Sequence, residues 1–61
     1  MYGMNDDELY TIDEVAKRLK VSKMTVYRYV KAGKLPAYKL EQELRIKKAD
    51  LDAFLNERKV N

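Results

Sequence analysis

The sequence predicts one small domain, mainly α with a small β-hairpin, in the order helix, helix, hairpin, helix. Three observations carry this reading. Two helical signals stand only three residues apart, the stretch after a Leu-Pro step alternates apolar and charged residues, and a final apolar stripe recurs at helical spacing. A chain of 61 residues has room for one thin core and no second domain.

Taken in order, residues 1–9 are polar and acidic without a sustained period, and are expected to form a disordered arm ahead of a domain over residues 10–59. Thr11-Ile12-Asp13-Glu14 has capping-box spacing, with Thr11 as the N-cap and Glu14 reaching back from the third helical position. Tyr10 and Val15 fall at the staple positions around it. Ile12, Val15, Ala16 and Leu19 then make one apolar stripe, while Asp13 with Lys17 and Glu14 with Arg18 are i,i+4 pairs in the favourable orientation. Ser22 is placed to cap a second helix from Lys23 to Ala32, which Gly33 ends as a left-handed residue. The interval Lys20 to Ser22 is so short that the two helices must cross sharply and pack together, a helix-turn-helix spacing.

Leu35-Pro36 biases the chain to extended structure, and Tyr38, Leu40, Leu44 and Ile46 alternate with Lys39 and Arg45. Placing all four apolar residues on one face selects a three-residue loop, Glu41-Gln42-Glu43, with Leu40 opposite Leu44 and Lys39 opposite Arg45. A last helix from about Lys48 to Arg58 presents Leu51, Phe54 and Leu55 on one side. The expected core is Ile12, Val15, Ala16, Leu19, Val21, Val26, Tyr29, Val30, Leu35, Tyr38, Leu40, Leu44, Ile46, Leu51, Phe54 and Leu55. With no metal or disulfide to staple it, such a core supports roughly 3–5 kcal/mol.

Composition narrows the function. The chain has no Cys and no His, which removes thiol nucleophiles, imidazole bases and the zinc spacings built from them. The ten acids lie mostly in the arm, at helix starts and at the hairpin tip, so no carboxylate pair is set up for catalysis. The expectation is a non-enzyme without cofactor or metal. No apolar run suits a bilayer span and residues 1–10 lack the order of a signal peptide, so a cytoplasmic location is expected. Charge is unevenly spread. Asp6, Asp7 and Glu8 all lie in the first ten residues, so a net charge of +3 leaves residues 11–61 at +6. Between Lys17 and Lys48 eleven basic residues stand against only Glu41 and Glu43. A basic surface of this density suits nucleic acid.

Three features are candidates to carry that chemistry. On the second helix Val26, Tyr29 and Val30 point inward, which leaves Met24, Arg28 and Lys31 outward, flanked by Thr25 and Tyr27, with Lys23 in the first turn. This helix has no acidic residue, whereas a merely solvated face would mix Glu with Lys. A purely cationic face of this kind fits the major groove, where Arg meets guanine O6 and N7, and Thr or Met meets a thymine methyl. Lys47-Lys48 opens the third helix where a polar cap is usual, so a phosphate is one partner that would relieve the like charge at the positive dipole end; Asp50, in the first turn, is another. Lys39 and Arg45, opposed in the chosen register, would likewise favour an anion beside them, unless Glu41 and Glu43 neutralise them.

The order of these pieces resembles the excisionase-type, MerR-like winged helix-turn-helix family. The resemblance rests on Tyr10-Thr11-Ile12-Asp13-Glu14-Val15-Ala16, Leu19-Lys20-Val21-Ser22, Thr25-Val26-Tyr27-Arg28-Tyr29-Val30, Gly33-Lys34-Leu35-Pro36-Ala37, Arg45-Ile46, Asp50-Leu51 and Phe54-Leu55, and spans about residues 10–56. It implies that the second helix enters the major groove and the hairpin wing reaches the adjacent minor groove or backbone. It also implies a transcription regulator, or a directionality factor in DNA recombination, with double-stranded DNA as partner and an integrase or neighbouring copies on tandem sites alongside. Two departures stand out: Lys20 occupies a turn position that is commonly Gly, and the wing tip Glu41-Gln42-Glu43 is acidic and lacks glycine. MerR-type members dimerise through a long helix after the winged domain; this chain stops about ten residues into its last helix, so a monomer is expected. The competing reading is a protein-interaction module whose basic face meets an acidic partner.

Overall fold

The structure is a computed structural model that describes residues 8–60. The element order is β1 (Leu9–Thr11), α1 (Ile12–Leu19), α2 (Lys23–Lys31), β2 (Tyr38–Leu40), β3 (Glu43–Lys47) and α3 (Lys48–Glu57). Three helices and a small antiparallel hairpin thus form the expected winged helix-turn-helix. The acidic arm expected over residues 1–9 falls outside the described residues up to residue 7; Leu9, its last member, instead begins a strand.

The local signals act as elementary physics requires. Thr11 caps α1 reciprocally, its hydroxyl accepting from Glu14 N at 3.1 Å while Glu14 Oε1 accepts from Thr11 N at 2.9 Å. Lys20 ends α1 in the left-handed region, at φ 59° and ψ 44°. Val21 N donates to Ala16 O and Lys20 N to Lys17 O, the pair of bonds that satisfies the last carbonyls when a helix closes on a left-handed residue. The same pair closes α2, where Lys34 N donates to Tyr29 O and Gly33 N to Val30 O, with Gly33 at φ 77°. At its other end Ser22 Oγ accepts from Thr25 N at 3.2 Å.

The sheet runs β1-β3-β2, all antiparallel, so the N-terminal strand lies beside the second strand of the hairpin. The hairpin register differs from the expected one by a residue. Leu40 pairs with Glu43, Lys39 with Leu44 and Tyr38 with Arg45, across a two-residue tip in which Glu41 (φ 46°) and Gln42 (φ 76°) are both left-handed. Because side chains alternate between faces, that slip turns Tyr38 and Leu40 outward, 43% and 44% exposed, and separates Lys39 from Arg45, which now lie on opposite faces. The reason lies in β1. Tyr10 pairs with Ile46 and covers the inner face in place of Tyr38, so the core is closed around Ile46 without Tyr38 or Leu40.

The core holds Tyr10, Ile12, Val15, Ala16, Val26, Leu35, Ile46, Leu51 and Phe54, with Leu19, Val21, Tyr29, Val30, Ala37 and Leu44 packed on its margin. Leu55, expected inside, is exposed: α3 buries only Leu51 and Phe54, and Phe54 meets Tyr29 of α2 at a ring-centroid distance of 4.9 Å. No helix of the described residues is long and apolar enough to cross a membrane.

Candidate nucleic-acid interface

The interface begins from the turn between α1 and α2. Val26 is fully buried and fixes the rotation of α2 about its axis, so Met24, Tyr27, Arg28 and Lys31 emerge on the outer side, Met24 at 61% exposure. Thr25 is less available than the others. It is half-buried, and its hydroxyl lies 3.1 Å from Ser22 Oγ, so it belongs to the start of the helix as much as to its outer face.

Beside that face a cleft of about 510 Å³ opens between the start of α1, the first turns of α2 and the hairpin. Lys23 and Tyr27 form one wall, Lys39, Gln42, Glu43 and Leu44 the other, and Thr11, Ile12 and Asp13 the floor. The slipped register puts Lys39 here: paired with Leu44, it shares the inner side of the hairpin. Within the cleft Lys23 Nζ lies 3.8 Å from Asp13 Oδ1, while Asp13 Oδ2 lies 3.4 Å from Lys17 Nζ. One carboxylate from α1 therefore sits between a cation of its own helix and one from the first turn of α2. Sequence spacing shows only the first of these pairs; the second depends on how the helices cross.

The remaining cations lie elsewhere. Arg45 faces Tyr38 on the outer side of the hairpin, 25% exposed, and donates to Glu43 Oε1 at 2.8 Å. Lys47 places its ammonium 5.0 Å from the centre of the Tyr38 ring on that same side. Lys48 begins α3, its backbone N–H donating to Glu8 O at 2.8 Å and its ammonium to Asp52 Oδ2 at 2.9 Å. Lys47 is the N-cap residue and makes no side-chain cap, while Asp50 turns one carboxylate oxygen into a buried, unpartnered position in the first turn. The structure thus brings Lys23, Tyr27 and Lys39 together beside the α2 face, and sets Arg45, Lys47 and Lys48 apart from them.

Residues 9–59, which hold these elements, are matched by a family model described as a helix-turn-helix domain. The chain belongs to that helix-turn-helix family. The chain is also 49% identical over 51 residues to the Bacillus subtilis (strain 168) protein named "Uncharacterized protein YvgK", a match covering 84% of this chain and 17% of YvgK. Two Mycobacterium tuberculosis proteins are each 49% identical over 39 residues, covering 64% of this chain and 50% of theirs. They carry the names "Putative DNA-binding protein MT0521" (strain CDC 1551 / Oshkosh) and "Putative DNA-binding protein Rv0500A" (strain ATCC 25618 / H37Rv). The chain spans about half the length of these mycobacterial relatives and under a fifth of YvgK. This helix-turn-helix protein keeps the two-helix unit compact by using Lys20 at the left-handed turn residue, and it builds its wing from a tip without glycine.

Proposed function

We propose that this protein binds double-stranded DNA in a sequence-specific way, with α2 in the major groove and the cleft side of the hairpin along the neighbouring backbone. One observation carries the reading: the outer face of α2 presents Met24, Tyr27, Arg28 and Lys31 with no acidic residue in the helix, and opens onto a cleft holding Lys23 and Lys39. Arg28, near the middle of that face, is the candidate for a bidentate contact to guanine, and Met24 for a thymine methyl. Lys23, Lys31 and Lys39 are suited to phosphate, which positions the helix without selecting sequence. Arg45, Lys47 and Lys48 are secondary phosphate candidates, since each already has a partner within the protein. The names of the mycobacterial relatives support the choice of ligand.

As a single module it would bury roughly 600–1,000 Å² of protein surface, which limits selectivity on its own. The role we propose is therefore that of a cytoplasmic regulator of transcription or an excision factor, a monomer in solution that works on tandem sites or beside a partner such as an integrase. Selection from random duplex DNA at near-physiological salt tests the reading. It predicts enrichment of a short motif that an acidic peptide does not displace. Recovery of no motif, together with efficient displacement by the peptide, would assign the basic face to an acidic protein instead.

A further inference from the structure

The outer face of the sheet, turned away from the cleft, carries more apolar surface than a solvated face requires. Strand pairing sets Leu9 beside Lys47, Tyr38 beside Arg45 and Leu40 beside Glu43 on that face. Leu9, Tyr38 and Leu40 are all exposed. Lys47 joins them into one stripe, since it pairs with Leu9 and holds its ammonium 5.0 Å from the centre of the Tyr38 ring. Apolar side chains scattered singly over a surface are ordinary, whereas a contiguous patch marks a place where something docks. This patch is also kept at a cost. The register that turns Tyr38 and Leu40 outward holds Glu41 and Gln42 in the left-handed region, which suits neither, and backbone strain of this kind gathers at functional sites.

Charge decides what can cover the patch. The face holds two cations, Arg45 and Lys47, and one carboxylate, Glu43, which Arg45 engages at 2.8 Å. Lys47 has the Tyr38 ring beside it and makes no ion pair among the described residues. A second copy packed on the same face would therefore set one excess positive charge against another. A second copy paired edge to edge along β2, about a two-fold axis through the middle of the strand, would oppose Lys39 to Lys39, which is equally unfavourable. A carboxylate beside an apolar side chain complements both halves of the surface.

We propose that the outer face of the hairpin docks an acidic, apolar segment of another protein, with a carboxylate taken by Lys47 and large apolar side chains laid on Tyr38, Leu40 and Leu9. The patch is small, so the contact is a transient one. It lies across the hairpin from Lys39 and the cleft, so the segment and a duplex are held at the same time on different faces. The inference goes beyond the duplex-DNA reading and does not rest on it.

The test titrates the full, isotope-labelled chain with a short synthetic peptide of alternating Asp and Leu, alone and in the presence of duplex DNA. The peptide is expected to shift the amide signals of Leu9, Tyr38, Leu40 and Lys47 and to leave those of α2 in place, with or without duplex. Replacing its Asp by Asn, or its Leu by Ser, should abolish the shifts. Tyr38→Ser combined with Leu40→Ser is expected to weaken the peptide about tenfold while changing duplex affinity by no more than about twofold. Lys47→Gln, a surface change that leaves the fold intact, should weaken the peptide about threefold, with an effect that fades as salt rises. Absence of binding, or equal binding of the Asn or Ser peptides, overturns the inference. Displacement of the peptide by duplex, with shifts on α2, would assign the acid to the basic helix face and overturn it as well. Sedimentation as a dimer that Tyr38→Ser with Leu40→Ser dissolves would give the face to a second copy instead. None of these results bears on whether the chain selects a DNA motif, which the random-duplex selection decides separately.

Discussion

Asp13 and Lys23 join the two helices of the helix-turn-helix unit across their turn, Oδ1 to Nζ at 3.8 Å, although neither is near the other in a helical repeat. An arriving phosphate would compete with that carboxylate for the ammonium. Asp13→Asn is therefore expected to tighten binding to random duplex at low salt, with a gain that shrinks as salt rises. Thermal stability should fall slightly, since an acid in the first turn and an i,i+4 pair with Lys17 each contribute a few tenths of a kcal/mol. Fluorescence anisotropy at several salt concentrations and a melting curve read the two effects.

Arg28→Ala is expected to weaken binding to the selected motif by about 1–3 kcal/mol and to flatten preference at one or two base pairs. Arg28 is exposed and contributes nothing to the core, so the melting temperature should stay in place. Uniform loss across all sequences would move Arg28 from base edges to phosphate.

Lys39 and Arg45 occupy opposite faces of one hairpin, and the proposed interface uses only one of those faces. Lys39→Ala should reduce the magnitude of the slope of log K against log salt by nearly one, the loss of a single counterion contact, and Arg45→Ala should leave it almost unchanged. The comparison is internal to the hairpin and needs no knowledge of the motif. Equal effects would mean that DNA wraps both faces.

Lys20 holds φ 59° and ψ 44° without the freedom of glycine, a conformation that costs an ordinary residue about 1 kcal/mol. Lys20→Gly removes that strain and loosens the unfolded chain, for a modest net gain in stability that a denaturant titration can resolve. DNA affinity at moderate salt should change little.

Leu35 lies fully buried in a core of nine buried side chains among the described residues. Leu35→Ala is expected to cost about 2–5 kcal/mol. Against the roughly 3–5 kcal/mol available to a domain of this size, circular dichroism at room temperature should show substantial unfolding.

The helices were legible because their ends are local. Thr11 with Glu14, Ser22, and Gly33 each act within a few residues, and the structure realises every one of them. The strand β1 was not legible, since Leu9-Tyr10-Thr11 is too short to show a period and its hydrogen-bond partners lie at residues 45–47. That omission propagated. Without Tyr10 to cover Ile46, the apolar pattern of the hairpin argued for turning Tyr38 inward, and the tip carries no Asn-Gly or Asp-Gly step to signal two left-handed residues. The candidate site inherits the same division. The outward residues of α2 follow from helical spacing alone, whereas the grouping of Lys23, Asp13 and Lys39 around one cleft depends on long-range pairing.

Two strands of the sheet run into helices with no residue between them: Thr11 ends β1 and caps α1, and Lys47 ends β3 and stands at the N-cap position of α3. Since β1 also pairs with β3, the hairpin is coupled to the helix pair without a hinge. The spacing between α2 and the wing is thus set before any ligand arrives, and little ordering entropy remains to be lost on association. A calliper of fixed opening cannot adjust to its object. In the proposed docking, inserting one base pair between the stretch assigned to α2 and the stretch assigned to the wing should abolish one set of contacts outright, where a flexibly tethered wing would follow the displaced groove.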